Sequence, residues 1–235
     1  FSTEAVPGAL PVGRNSPQRP AFGLFAEQLS GSAFTMARAE NRRSWLYRLR
    51  PSAGHGAFRP LRDFLPALAP ASPNRLRWDP PAAPAGADFI DGLTPMLANG
   101  DAAALSGVIL CTYALTRPMG TRAFRSADGE WLILPVSGRL AITTEMGRFD
   151  LAPLQVALIP RGVAFRVDPL DGGASGYAVE NLGAPFRLPD LGPIGSNGLA
   201  NPRDFESPVA AFEDSDTPHQ IVLKFGQQLW AADQG

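Results

Sequence analysis

The chain has 235 residues, 45 % of them apolar, and its charges nearly cancel at a formal −1. That supplies a sizeable core and suits one large β domain, or one domain with an extension. No basic stripe is present to recruit nucleic acid or an anionic membrane, and no apolar run approaches the ~18 residues of a membrane span.

The N-terminus, FSTEAVPGALP, lacks the basic n-region and continuous apolar h-region of a signal peptide. Both ends, Phe1 and LWAADQG, read as cut. Residues 1–40 are broken by Pro or Gly every few positions and read as an irregular arm lying on another surface. Within them GLFAEQLSGSAF predicts a short helical turn ended by Gly31. NRRSWLYRLRP predicts a strand ended by Pro51, with Trp45, Tyr47 and Leu49 on one face and Arg48 and Arg50 on the other. NRLRW (74–78) repeats that pattern, the Pro-rich stretches around it are linkers, and DFIDGLTPMLANGD predicts a short helix or a loop.

From Gly107 the signal becomes dense β structure. GVILCTYAL is a buried strand carrying the single cysteine, Cys111, which reads as a core residue and excludes an intrachain disulfide. That cysteine usage fits a cytoplasmic address. TRAFRS and EWLILPVS are joined by Ala127-Asp128-Gly129, a hairpin cue. RLAITTE, RFDLA, QVALIP, VAFRV, GYAVENL and PFRLP follow at short spacing, which predicts an antiparallel sandwich or barrel. LPDLGPIGSNGLANPRDFESP (188–208) is too rich in breakers for helix or strand. HQIVLKF and QQLWAAD then predict a closing hairpin at Phe225-Gly226.

Residues 121–167 resemble a cupin, a small jelly-roll barrel, through their turn glycines and IPRGVAF. Gly138 suits the last Gly of the first cupin motif, and Pro160 and Gly162 suit the P-x-G of the second. The metal ligands do not follow. Counting back from Gly138, Trp131 falls where Glu belongs and Phe124 and Ser126 near the two His, while Phe165 takes the place of the last His. Phe and Trp fill a barrel rather than ligate. The two histidines, His55 and His219, read as ordinary loop or surface residues, since nothing in the sequence brings them onto one rigid face with an acid. GPIGSNG has no following helix to bind phosphate. Glu27, Glu40, Glu145, Asp190 and Asp204 read as turn caps, ion pairs or solvated groups.

Four segments together resemble the homogentisate 1,2-dioxygenase family: EAVPGALPVGRNSPQRPAFGLFAEQLSGSAFTMARAENRRSWLYRLRPS (4–52), NRLRW (74–78), DGEWLILPVSGRLAITTEMGR (128–148) and LPDLGPIGSNGLANPRDF (188–205). The resemblance implies the N-terminal domain of a longer non-haem Fe(II) enzyme that opens the ring of homogentisate with O₂, giving maleylacetoacetate in tyrosine and phenylalanine breakdown. It implies iron ligands, two His and one Glu, in a following C-terminal catalytic half, so no catalytic or metal residue is expected in this chain and none of that iron is expected bound to it. It also implies assembly into trimers that pair into hexamers. The expected architecture is mainly β, a cupin-like antiparallel jelly roll or sandwich with a long irregular N-terminal arm and extra strands. Residues 1–105 are assigned to arm and accessory strands, 106–188 to a degenerate barrel, and 189–235 to an irregular ribbon and closing hairpin. Glu27, Ser30, Arg42, Tyr47, Asn201, Arg203 and Asp204, which lie in the matching segments, are the candidates for contacts at a subunit interface or the rim of the active site. The other reading of the same features is an autonomous, metal-free cupin acting as a binding module.

Overall fold

The computed structural model describes residues 3–12, 19–30, 37, 40–65, 72–74, 77, 79, 84–189 and 201–234. In chain order the strands are β1 (Phe25–Ser30), β2 (Arg43–Arg48), β3 (Arg59–Asp63), β4 (Leu93–Asp101) and β5 (Ser106–Leu115). Then come β6 (Arg122–Ser126), β7 (Glu130–Ser137), β8 (Leu140–Thr144), β9 (Gly147–Leu151) and β10 (Ala157–Ile159). β11 (Ala164–Pro169), β12 (Ala174–Asn181), β13 (His219–Phe225) and β14 (Gln228–Gln234) complete the set. Among the described residues, no helix is long and apolar enough to cross a membrane.

Strands β5 to β12 form the framework. They divide into the rows β10-β7-β12-β5 and β6-β11-β8-β9, and the chain crosses between the two sheets at every connection except the β8–β9 hairpin. That connectivity is a jelly roll. Each strand alternates, so one side chain in two enters the space between the sheets. Ile109, Cys111 and Tyr113 enter from β5, Trp131 and Ile133 from β7, Phe124 from β6, Ile142 from β8, and Phe165 and Val167 from β11.

Accessory strands widen both sheets. β4 pairs with β5 to make a five-stranded sheet. The β13–β14 hairpin and β3 extend the other to seven strands, with β13 running parallel to β6. A separate ribbon of β1 and β2 docks on the framework through Leu29, which packs against the core, and Arg48, which pairs with Glu145 at 2.6 Å.

Some expectations change. GLFAEQLSGSAF supplies strand β1 rather than a helical turn, because Phe25 to Ser30 pair residue for residue with Arg48 to Arg43. DFIDGLTPMLANGD supplies β4, held by a long ladder against β5 that overrides its Gly and Pro. The Asp128-Gly129 turn is not a hairpin, since β6 and β7 lie in different sheets. PFRLP forms no strand. In β2 the face turned to the framework is that of Leu46 and Arg48, while Leu49 is exposed. NRLRW and the centre of the 188–208 ribbon lie largely outside the described residues.

Gly176 marks where β12 shifts register against β7. A Cβ there would meet the Leu134 carbonyl oxygen at 2.1 Å and the Tyr113 hydroxyl at 2.8 Å. Gly176→Ala is therefore expected to cost about 1–3 kcal/mol, as overpacking does, read as a lower urea midpoint at unchanged m-value. An unaltered midpoint would mean that β12 separates from β7 without penalty.

Candidate functional site

The interior of the jelly roll is where a cupin would hold a metal ion, and here it is aromatic. Phe124 meets Trp131 and Phe165 edge to face, each at 5.4 Å between ring centroids. Phe64 reaches Trp131 at 6.0 Å and Phe89 reaches Phe165 at 6.1 Å. These rings are fully or almost fully buried and offer no ligating lone pair. Among the described residues, no group of three or more His, Cys, Asp or Glu is placed to hold a metal. The donor set does not fit iron inside this barrel.

One end of the same interior is polar. Lys224, on β13, is wholly buried, and its ammonium lies 2.5 Å from Asp128 Oδ2 and 2.9 Å from Glu180 Oε2. The Phe64 ring is 5.0 Å from the same ammonium. Asp128 also accepts the Gly226 and Gln227 N–H groups, each at 2.8 Å, so it ties the β6–β7 connection to the β13–β14 turn. Glu180, on β12, accepts the Ser126 hydroxyl at 2.6 Å. Ser126 Oγ in turn accepts the Asp128 and Gly129 N–H groups. Two carboxylates face one ammonium, so with both ionised the buried cluster would carry a net negative charge. Asp128 has two backbone N–H donors. Glu180 has none, and burial pushes its carboxyl up despite Lys224. Cys111 lies nearby, and burial, with Glu180 adding to it, pushes its thiol up to about 12, which makes it unreactive.

The outer face of the seven-stranded sheet is charged and covered by the chain's own segments. Glu145 accepts from Arg125 at 2.9 Å, from Arg48 at 2.6 Å and from the Ala164 N–H at 2.8 Å. Val209 bridges to Arg148, and Glu213 takes Arg148 at 2.5 Å and Arg166 at 3.1 Å. Burial raises the Glu213 carboxyl, but Arg166 and Arg148 outweigh it and hold the group below its ordinary value. A cleft of about 220 Å³ lies between this strap and the sheet, lined by Arg122, Thr143, Arg148, Phe212, Glu213 and His219.

The candidate rim residues fall into three places. Glu27 accepts the Ser52 N–H at 2.8 Å and pairs with Arg48 at 2.7 Å; burial opposes these contacts, yet they hold its carboxyl low. Ser30 and Tyr47 lie on the same ribbon, with the Ser30 hydroxyl buried and the Tyr47 phenol raised by burial. Arg42 reaches across to Glu130 at 3.1 Å and to the Phe186 carbonyl. Asn201, Arg203 and Asp204 form one capped turn: the Asn201 side chain accepts the Arg203 N–H and Asp204 accepts the Asn201 N–H. The turn is exposed. The structure does bring His55 and His219 closer than expected. Both pair with Gln234, from opposite sides, about two strand spacings or ~9.6 Å apart. His55 also contacts the Gly56 carbonyl at 2.8 Å and the Phe58 ring at 4.7 Å.

Sequence reading missed Lys224, Asp128 and Glu180. The available signal was alternation: Lys224 shares a face with Val222, and Glu180 with Ala178 and Gly176.

Strand order and interior together define the class of protein: a cupin-type jelly roll whose interior is packed with aromatic side chains. The family model described as homogentisate 1,2-dioxygenase N-terminal matches residues 1–235, and the chain belongs to that family. Similar solved structures include a protein of Neisseria meningitidis at 14 % identity, covering 38 % of this chain and 82 % of that one, TM-score 0.32. A cupin-2 domain protein of Shewanella frigidimarina is 13 % identical over 38 % of this chain and 78 % of its own, TM-score 0.32. A cupin domain of Bordetella pertussis is 18 % identical over 38 % and 92 %, TM-score 0.28. None of these superpositions adds to what the strand order defines.

Lys224→Met would leave two carboxyl groups buried without their cation and is expected to cost about 3–5 kcal/mol, read by denaturant unfolding. A loss below 1 kcal/mol would mean that the cluster hydrates or rearranges freely. Glu180 makes a separate prediction. Its folded pKa lies above the ordinary 4.5, so between those values the folded chain holds a proton that the unfolded chain has released. Stability contributed by Glu180 therefore falls as pH rises from its ordinary value through its raised one. Glu27, Glu213 and Asp171, held low, act in the opposite sense and below the ordinary carboxylate range. Melting temperatures from roughly pH 5 to 8 should fall in the wild type and fall less in Glu180→Gln; parallel curves would exclude Glu180 as the source.

Proposed function

We propose that this chain is the scaffold and assembly domain of a homogentisate dioxygenase, the non-haem Fe(II) enzyme that cleaves the homogentisate ring with O₂ to maleylacetoacetate in tyrosine and phenylalanine breakdown. The observation that carries the reading is the filled interior: Phe124, Trp131 and Phe165 stand where a working cupin presents its ligands, and Lys224 supplies the cation beside them. Iron, held by two His and one Glu of a following catalytic half, would bind the substrate and activate O₂. No residue of this chain is assigned to it.

The role of this chain's own residues is to hold surfaces in place. Glu27 and Arg48 fix the β1–β2 ribbon on the framework through Glu145. That anchored ribbon displays Tyr47 to a neighbouring subunit or to the catalytic half, with the buried Ser30 hydroxyl part of its support. Arg42 braces the start of β7 through Glu130. The capped turn at Asn201 and Asp204 presents Arg203, which is suited to a charge-assisted hydrogen bond with a carboxylate across a contact. Trimers that pair into hexamers are the assembly this reading calls for.

Two measurements test it. Residues 1–235 alone should retain well under one iron per chain after loading and desalting, and should consume no O₂ with homogentisate; stoichiometric iron would overturn the scaffold reading. In the complete enzyme, Arg203→Ala should weaken assembly on size exclusion and lower O₂ uptake by tens of per cent or more through misplacement. Unchanged assembly and uptake would remove Arg203 from the contact.

A further inference from the structure

The interior cluster of Lys224, Asp128 and Glu180 holds the components of a reaction as well as those of an ion pair. An amine and a carboxyl group condense to an amide when they are kept in contact, shielded from water and served by a third group that moves the protons. Each condition is met here. Lys224 Nζ lies 2.5 Å from Asp128 Oδ2 and 2.9 Å from Glu180 Oε2. The side chains of Lys224 and Glu180 are wholly buried, and that of Asp128 is 4 % exposed. The Phe64 ring flanks the nitrogen, and Trp131 packs against Phe64.

The strands bring the three groups to this contact. β13 runs parallel to β6 with Lys224 opposite Ser126, and Asp128 follows Ser126 by two residues. Glu180 reaches in from β12 of the facing sheet, its other oxygen held by the Ser126 hydroxyl at 2.6 Å. Asp128 Oδ1 accepts the Gly226 N–H at 2.8 Å. That donor stands where negative charge gathers when a nucleophile adds to the Asp128 carboxyl carbon.

We propose that Lys224 and Asp128 join through an intramolecular amide bond between Nζ and Cγ, with Glu180 as the proton carrier. A proton crosses the 2.5 Å contact from Nζ to Oδ2, which leaves an amine facing a carboxylic acid. Nζ adds to Cγ, and Oδ1 takes up the charge against the Gly226 N–H. Glu180 accepts the proton that the nitrogen sheds and delivers it to the Oδ2 hydroxyl, which departs as water. One N–C bond forms, one C–O bond breaks, and no oxidant or reductant is needed. Burial raises the Glu180 carboxyl, which suits a group that must take up a proton and return it. The bond also removes one buried ammonium and one buried carboxylate, both costly to keep out of water. It spans 96 residues of sequence and clamps the β13–β14 hairpin to the framework. Neither iron nor an assembly partner takes part.

Mass spectrometry of the complete, denatured protein tests the bond. The wild type should be lighter than its sequence by one water. Its tryptic digest should hold the peptide that begins at Ser126 joined to one in which cleavage after Lys224 has failed. Glu180→Gln should have the full mass, with a Lys224 that trypsin cuts and an amine reagent labels after denaturation. Lys224→Arg, which keeps the positive charge and lacks the amine, is the unlinked reference; it should melt about 10 °C or more below the wild type. A wild type of full mass, with Lys224 cleaved, would overturn the proposal. So would a mass short by one water without the joined peptide, the result a succinimide at Asp128-Gly129 would give. Linkage that persists in Glu180→Gln would overturn the part assigned to Glu180. Iron content and O₂ uptake, which test the scaffold reading, do not enter these measurements, so either inference can fail alone.

Discussion

The Lys224 ammonium between Asp128 and Glu180 is the constraint on which the closure of this barrel depends. Its three charged groups come from the β6–β7 connection, from β12 and from β13, so one cluster binds the two sheets to each other and to the accessory hairpin. A buried charge pair of this kind is poor evidence for net stability, because each group surrendered its hydration. Its value lies in specification. Asp128 accepts the turn amides of Gly226 and Gln227, and Ser126 closes the ring of contacts back to Glu180. With every partner at a fixed distance, β13 has one register against β6, and a slip would strand two carboxyl groups in the interior.

That cluster and the aromatic rings beside it fill the space in which a cupin would present metal ligands. A cupin interior needs polar ligands in its wall, and a wall of ligands must be hydrated or metallated to be satisfied. Replacing them with Phe124, Trp131 and Phe165 converts the cavity into close-packed core, and Lys224 supplies a covalently attached cation for the carboxylates that remain. The ribbon, the strap at 209–213 and the sheet faces lie outside this core.

How much of this is legible in the sequence follows from what each signal encodes. The strands after Gly107 show through alternation and turn residues, and the aromatic filling by Phe124, Trp131 and Phe165 shows by counting back from Gly138. Sheet membership does not show, because Asp128-Gly129 reverses the chain equally well within a sheet or between two. β4 is hidden behind its Gly and Pro, since its pairing with β5 depends on residues distant from any local window. Lys224 and Glu180 are hidden because a charged residue in a strand reads as solvent-facing until its counterion is known. The ribbon misleads for the same reason: Trp45 and Tyr47 look like the inward side, yet Arg48, ion-paired with Glu27 and Glu145, turns inward with Leu46. Of the rim candidates, Asn201 and Asp204 carried a readable cap, Asn-Pro-Arg-Asp, and the structure forms it.

The two outer sheet faces divide the remaining work by charge. The seven-stranded face is laced with Arg125, Arg148, Arg166, Glu145 and Glu213, and what lies on it is the chain's own ribbon and strap, fixed by directional pairs. Such pairs are specific and mostly half-exposed, so each contributes little energy and much positional information. The five-stranded face has the opposite character: among the described residues its charges, Asp101 and the Arg42–Glu130 pair, sit at strand ends, and a continuous apolar row with half-exposed large side chains fills its middle. Left in water it is costly and invites association, and a monomeric protein blunts such a surface with charge. Among the described residues, the chain's own ribbon and strap thus lie on the charged face, and the large apolar side chains left half-exposed lie on the other.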